Sequence, residues 1–115
     1  MENIDWGNLS FGYIKTDCNV RSYFRDGRWS TPQISTSEMI DLHMAATCLH
    51  YGQEAFEGLK AFMGKDGKIR IFRMRENALR LQSSCRGIMM EEFPVEIFEK
   101  CVNEVVKQNS RFVPP

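Results

Sequence analysis

Phe56-Glu57-Gly58-Leu59-Lys60-Ala61-Phe62-Met63, then Gly64-Lys65-Asp66-Gly67, then Lys68-Ile69-Arg70-Ile71-Phe72-Arg73 is the stretch whose reading decides the fold. Its Asp-Gly pair is a strong turn signal between two extended runs, and side chains alternate along a strand. In the second run Ile69 and Ile71 therefore share one face while Arg70 and Phe72 share the other. The stretch predicts a hairpin with arms at 56–63 and 68–73. Immediately afterwards the hydrophobic period changes. Counted from Met74, residues Ala78, Leu81, Cys85 and Ile88 fall at offsets of 4, 7, 11 and 14. They form one apolar stripe of a helix, with Gly87 as its stop.

Outward from this unit, Pro94 is a favoured first-turn residue for a second helix striped by Val95, Phe98, Val102, Val105 and Val106 or nearby positions. Upstream, Ala45 to His50 contains few breakers before Gly52 and predicts a short helix. Residues 9–15 alternate loosely, Asp17-Cys18-Asn19 carries turn chemistry, and Val20 to Arg25 reads as a second arm, giving another hairpin. Asp26-Gly27 punctuates its end, and Pro32 keeps the following residues extended. Strands first and helices afterwards predict an α+β fold, a mostly antiparallel sheet from two hairpins with helices packed on one face. No repeat or linker divides residues 1–115, so a single domain is expected.

Composition excludes several functions. The 115 residues carry 15 acidic and 15 basic side chains, and the pI is near 6.7, so there is no electrostatic footprint for nucleic acid. Apolar runs of three or four residues fall far short of a membrane span, and the first residues lack the basic start and apolar stretch of a signal peptide. A cytoplasmic chain is expected. Cys18, Cys48, Cys85 and Cys101 are separated by 30, 37 and 16 residues. That spacing fits neither a zinc pattern nor a disulfide scaffold, and reduced, mostly packing thiols are expected. A chain this long buries roughly two-thirds of its unfolded surface, enough for one core but not for a cofactor cleft between two full domains.

Residues that could carry chemistry are few. Five of the nine arginines, Arg70, Arg73, Arg75, Arg80 and Arg86, fall within seventeen residues. A guanidinium there can grip a phosphate or carboxylate with two parallel hydrogen bonds. Equally, the run is a solvated helix face, in which Glu76 and Arg80 form a surface i,i+4 pair. Arg80 lies roughly 120° from the centre of the apolar stripe at about 100° per residue, so periodicity does not single it out. His43 and His50, with Cys48 between them, lack a third ligand at sensible spacing and read as structural, with no metal site. No Ser-His-Asp or Cys-His arrangement and no glycine-rich phosphate loop is legible. The segment 49–62 is unusual: Gly52 and Gly58 bracket an aromatic-rich turn, and Tyr51 and Phe56 read either as pocket walls or as core aromatics.

His50-Tyr51-Gly52, Phe56-Glu57-Gly58-Leu59-Lys60-Ala61-Phe62, and Ile71-Phe72-Arg73 with Asn77 and Arg80-Leu81 resemble the branched-chain amino acid aminotransferases. These are pyridoxal-phosphate enzymes of fold type IV. Asn8-Leu9-Ser10-Phe11-Gly12 and Arg111-Phe112-Val113-Pro114-Pro115 resemble the N-terminal half of the same family, so the likeness runs through nearly the whole chain. It implies the family's small N-terminal domain, transfer of the amino group of L-leucine, L-isoleucine or L-valine to 2-oxoglutarate, pyridoxal 5'-phosphate as cofactor, and a homodimer. Residue by residue, it implies that Arg80 binds the cofactor phosphate and that Phe11, Tyr51 and Phe56 line the substrate pocket.

The departures from the family pattern matter as much. The family's cofactor-bonding lysine, which also moves the proton, lies in a C-terminal domain, and Lys15, Lys60, Lys65, Lys68, Lys100 and Lys107 do not match it. The resemblance therefore implies no catalytic residue in this chain, which alone should be inactive. D-amino acid aminotransferases and aminodeoxychorismate lyases share the Phe-Glu-Gly region and stay open as alternatives, as does a non-catalytic anion-binding module.

Overall fold

Asp26 and Gly27 both have positive φ, 53° and 78°. That is the turn geometry whose twist matches a two-residue hairpin, and glycine adopts it without a Cβ clash. The computed structural model, which describes residues 4–115, closes strands β2 (Phe24–Arg25) and β3 (Arg28–Trp29) around this turn. The same two chain segments continue outward as β1 (Asn19–Arg21) and β4 (Gln33–Ser35), also antiparallel. Arg21 faces Gln33 in the outer ladder and Phe24 faces Trp29 in the inner one. Two residues on the outgoing side thus oppose three on the return, a bulge that takes in Pro32, which has no N–H to give a ladder. Serines bridge the gap: the Ser22 hydroxyl donates to the Ser30 carbonyl at 2.6 Å, and the Tyr23 N–H donates to Ser30 Oγ at 2.9 Å.

This corrects the expected first hairpin. Residues 9–15 form no strand, and the partner of 19–25 lies at 28–35. The Asp26-Gly27 turn outcompetes Asp17-Cys18-Asn19 because the backbone of Asp17 and Cys18 is committed elsewhere, to the Asn109 side chain.

A four-residue helix α1 (Thr47–His50) follows, two residues shorter than expected. Burial then alternates residue by residue from Gln53 to Phe62, although only its end is laddered. There β5 (Ala61–Met63) pairs antiparallel with β6 (Ile69–Ile71) across a loop containing Asp66-Gly67. The expected hairpin is present with shorter arms, and Ile69 and Ile71 lie half-buried on the inner face. Gly64 fits this loop because a Cβ there would collide with the Arg70 and Asp66 side chains. Asp66 accepts two hydrogen bonds from Arg70, at 2.8 and 2.7 Å, fastening the turn to the return strand.

Helices α2 (Met74–Gly87) and α3 (Val95–Gln108) pack on each other, and α3 also packs on β1. The core is Ala78, Val95 and Phe98, with Leu59, Met74, Leu81, Phe93 and Val102 against it. The predicted stripes supply Met74, Ala78, Leu81, Val95, Phe98 and Val102, whereas Leu59 comes from the segment before β5 and Phe93 from the loop before α3, and Ile88 lies beyond the end of α2. Gly87 ends α2 in helical geometry, and the left-handed residue is Met89 (φ 59°). The Met90 N–H reaches the Cys85 carbonyl and the Met89 N–H reaches the Arg86 carbonyl, which is a Schellman ending. Pro94 sits at the N-cap of α3, with its carbonyl accepting from the Phe98 N–H. An aromatic ladder of Phe24, Trp29, Phe93 and Phe98, with centroids 5.2, 4.7 and 6.4 Å apart, ties the first hairpin to this core. The result is α+β as predicted, but with three separate two-stranded ladders in place of one sheet.

Candidate functional site

On α2, Asn77 and Arg80 lie three residues apart and so share a face, turned toward the extended residues that precede β5. Glu57 comes up from that segment between them. Its Oε1 accepts from Arg80 Nε at 2.7 Å and its Oε2 accepts from Arg80 Nη2 at 2.6 Å. Oε2 accepts a second bond from Asn77 Nδ2 at 3.0 Å, and the same amide donates to the Gly58 carbonyl at 3.2 Å.

The pair is asymmetric: the Glu57 side chain is 7% exposed and that of Arg80 is 67% exposed. Hydrogen bonding from Arg80 holds the Glu57 carboxyl below the usual carboxylate range, with Asn77 adding to the effect against the opposing cost of desolvation. The same contact raises the guanidinium above its ordinary value. A guanidinium has five N–H donors, and Glu57 takes two. Among the described residues no other group accepts from the remaining three. Arg80 also lines a cleft of about 610 Å³ with Phe72, Arg73, Asn77 and Ser83.

The expected Glu76–Arg80 surface pair does not form, because Glu76 pairs with Arg73 at 4.0 Å and Arg80 turns across to Glu57. The rest of the arginine run is also neutralised: Arg70 by Asp66, Arg75 by Glu99 and Arg86 by Glu92. Five guanidiniums, each beside a carboxylate, make a poor general anion trap. Arg80 stands apart because its partner is buried, so its charged edge is fixed rather than mobile.

Tyr51, Phe56 and Phe11 are 84%, 90% and 113% exposed, so none of the three rings belongs to this chain's own core. Tyr51 follows α1 with its N–H bonded to the Thr47 carbonyl. The next turn is pinned to the end of α2, where Gln53 accepts from Thr47 Oγ1 at 2.6 Å and donates to the Ile88 carbonyl at 2.8 Å. Phe56 stands outward where Glu57 turns inward, as alternation in an extended segment requires. Phe11 lies in a bend where Ser10 Oγ accepts from the Gly12 N–H. The four residues implied by the resemblance are not gathered into one cavity: Arg80 lines the cleft above, Tyr51 a second one with Gly52, Gln53 and Ile88, and Phe11 and Phe56 line neither.

Both histidines bond to backbone, His43 accepting from the Ala45 N–H and His50 bonding the Met44 carbonyl. Among the described residues no group of three His, Cys, Asp or Glu could hold a metal. All four cysteines are free, with Cys18 and Cys85 buried. No helix of the described residues is long and apolar enough to cross a membrane. Sequence reading missed Glu57 and Asn77 as functional residues. Both lie in the motifs that carry the resemblance, but nothing in their spacing assigns them a partner.

No protein-family model matches the chain. Curated relatives do, and they bear out the resemblance over the whole chain. A branched-chain-amino-acid aminotransferase of Haemophilus influenzae is 42% identical over 115 residues, covering 100% of this chain and 34% of that protein. One of Helicobacter pylori gives the same identity and coverage. The branched-chain-amino-acid aminotransferase 5, chloroplastic, of Arabidopsis thaliana is 39% identical over 116 residues, 28% of its length. The chain spans about a third of the length of the curated relatives it matches.

Proposed function

We propose that this chain is the part of a branched-chain aminotransferase that holds the phosphate of pyridoxal 5'-phosphate and walls the substrate side-chain pocket. The observation that carries the reading is an overall identity of 42% across all 115 residues with relatives of that name. The residues present fit the phosphate end of the cofactor: an exposed guanidinium, oriented by a buried carboxylate, with three N–H groups to give.

In this reading Arg80 anchors the cofactor through its phosphate and so fixes the position of the ring. Bound there, the cofactor supplies an electron sink for charge at the substrate α-carbon. Phe11, Tyr51 and Phe56 present apolar surface to the side chain of leucine, isoleucine or valine and exclude water from it. Discrimination then comes from shape, at about 1–3 kcal/mol per methylene. The Tyr51 hydroxyl adds a polar edge to that wall. The lysine that bonds the cofactor and moves the proton belongs to the remaining two-thirds of the protein, which is a cytoplasmic homodimer acting with 2-oxoglutarate.

The test is amino transfer by the full-length protein. L-Leucine with 2-oxoglutarate should yield glutamate, and D-alanine should not. Turnover of D-alanine, or release of pyruvate from aminodeoxychorismate, would move the chain to another member of the same fold. Arginine-dependent anion binding without any transfer would leave a binding module.

A further inference from the structure

The clamp on Arg80 is more elaborate than an ion pair requires. Glu57 gives both oxygens to one edge of the guanidinium, and its Oε2 is held a second time by an amide that is itself tied to the Gly58 backbone. Resting on the reading of Arg80 as the phosphate-binding residue, we infer that Glu57 is a positioning residue for cofactor capture. It fixes the Nε–Nη2 edge of Arg80 so that the remaining three N–H groups meet the phosphate in one orientation, with Asn77 holding Glu57 in turn.

A competing role for Glu57, as an internal stand-in that the phosphate displaces, conflicts with the geometry. A displaced carboxylate must swing into solvent, whereas this one is 7% exposed and bonded to two side chains on α2. A phosphate approaching the exposed outer edge has no need to remove it. The planar guanidinium can serve two anions from opposite edges, which an ammonium cannot do with the same directionality. The clamp also reaches the pocket wall. Phe56 and Glu57 are adjacent and point to opposite sides, so anchoring Glu57 fixes the backbone from which the Phe56 ring projects.

The experiment measures dissociation constants of pyridoxine phosphate and of pyridoxine for the full-length apoprotein by fluorescence titration. Neither compound has the aldehyde that would bond covalently to a lysine, and their ratio isolates recognition of the phosphate. Glu57→Gln should lower the phosphate preference by about 10-fold, the scale of losing a residue that orients a ligand-binding group. Its affinity for pyridoxine should stay unchanged, whereas loss of structure would weaken both compounds. Asn77→Ala should lower the preference by about 3-fold, a typical single hydrogen bond. A wild-type ratio in Glu57→Gln overturns the inference. If that variant does not fold, a wild-type ratio in Asn77→Ala overturns it equally. Arg80→Ala separates the two levels: a collapsed ratio there beside an unchanged one in Glu57→Gln leaves the phosphate reading standing and removes only the positioning role. An unchanged ratio in Arg80→Ala removes both.

Discussion

The Asn109 side chain takes the place of a neighbouring strand for Cys18: its Oδ1 accepts from the Cys18 N–H at 3.2 Å and its Nδ2 donates to the Cys18 carbonyl at 3.1 Å. Asn109 is 8% exposed and also serves the Asp17 N–H and the Val105 carbonyl, joining the end of α3 to the start of β1. Removing the carboxamide leaves the Asp17 and Cys18 N–H groups without their acceptor, while the Cys18 carbonyl keeps Thr16 Oγ1 and the Val105 carbonyl keeps the Asn109 N–H. Asn109→Ala should cost about 2–3 kcal/mol, the scale of stranded polar groups in a protein interior, read from the urea midpoint at constant m-value.

Met89 should be improvable. It holds a left-handed φ of 59° at the end of α2, and its side chain is 91% exposed. Glycine adopts that conformation without the Cβ penalty, and the exposed methionine loses almost no packing. Met89→Gly should stabilise the chain by about 1 kcal/mol, seen as a raised melting temperature. A lowered one would mean that the methionine is covered in the assembled protein.

What the sequence disclosed depended on range. Asp66-Gly67 placed the β5–β6 hairpin and the 3.6-residue period placed α2 and α3, because in each case the deciding residues are neighbours in the chain. The β1–β4 ladder is not legible: it is three residues long, is separated from the β2–β3 turn by a bulge at Pro32, and depends on Asn109 removing Asp17 and Cys18 from competition. The site divided in the same way. Arg80 was reached through resemblance, but spacing pointed to Glu76, and only the fold brings Glu57, twenty-three residues away, beside it. The exposure of Tyr51 and Phe56 could not be read either, since apolar residues in a pocket wall and in a core have the same composition.

Acid should loosen the β5–β6 hairpin. Bidentate hydrogen bonding from Arg70, helped by the Lys68 N–H, pulls the Asp66 carboxyl down from 3.8 to about 2. In the window between these values the unfolded chain binds the proton more readily than the folded one. The contribution is therefore complete above pH 3.8 and is lost as pH falls toward 2. Asp66→Asn should be less stable than wild type at pH 6, the difference should close across that window, and added salt should shrink it because both partners are exposed. A difference that persists at pH 2 would assign the effect to turn geometry instead of charge.

The 115-residue chain by itself should not capture the cofactor covalently at a defined position. In the proposed function the reactive lysine lies outside this chain, so none of the lysines at 15, 60, 65, 68, 100 and 107 is expected to take its place. Borohydride treatment with pyridoxal phosphate followed by peptide mapping should therefore give only scattered, substoichiometric labelling. A single lysine labelled to completion would place the reactive amine in this chain and overturn the division of labour proposed between its two parts.

The proposed role of Phe56 in a pocket wall makes its own prediction in the full-length protein. Phe56 is 90% exposed here, so truncating it removes no core packing from this chain. If its ring faces the substrate side chain, Phe56→Ala should reduce kcat/KM for L-leucine while leaving that for L-alanine, which is too short to reach the ring, nearly unchanged. The leucine-to-alanine ratio should fall by about 10-fold, the scale of one or two methylene contacts. Equal loss for both substrates would instead mean that the variant disturbs Glu57 next to it, and through Glu57 the grip of Arg80. The ratio of affinities for pyridoxine phosphate and pyridoxine would report that directly.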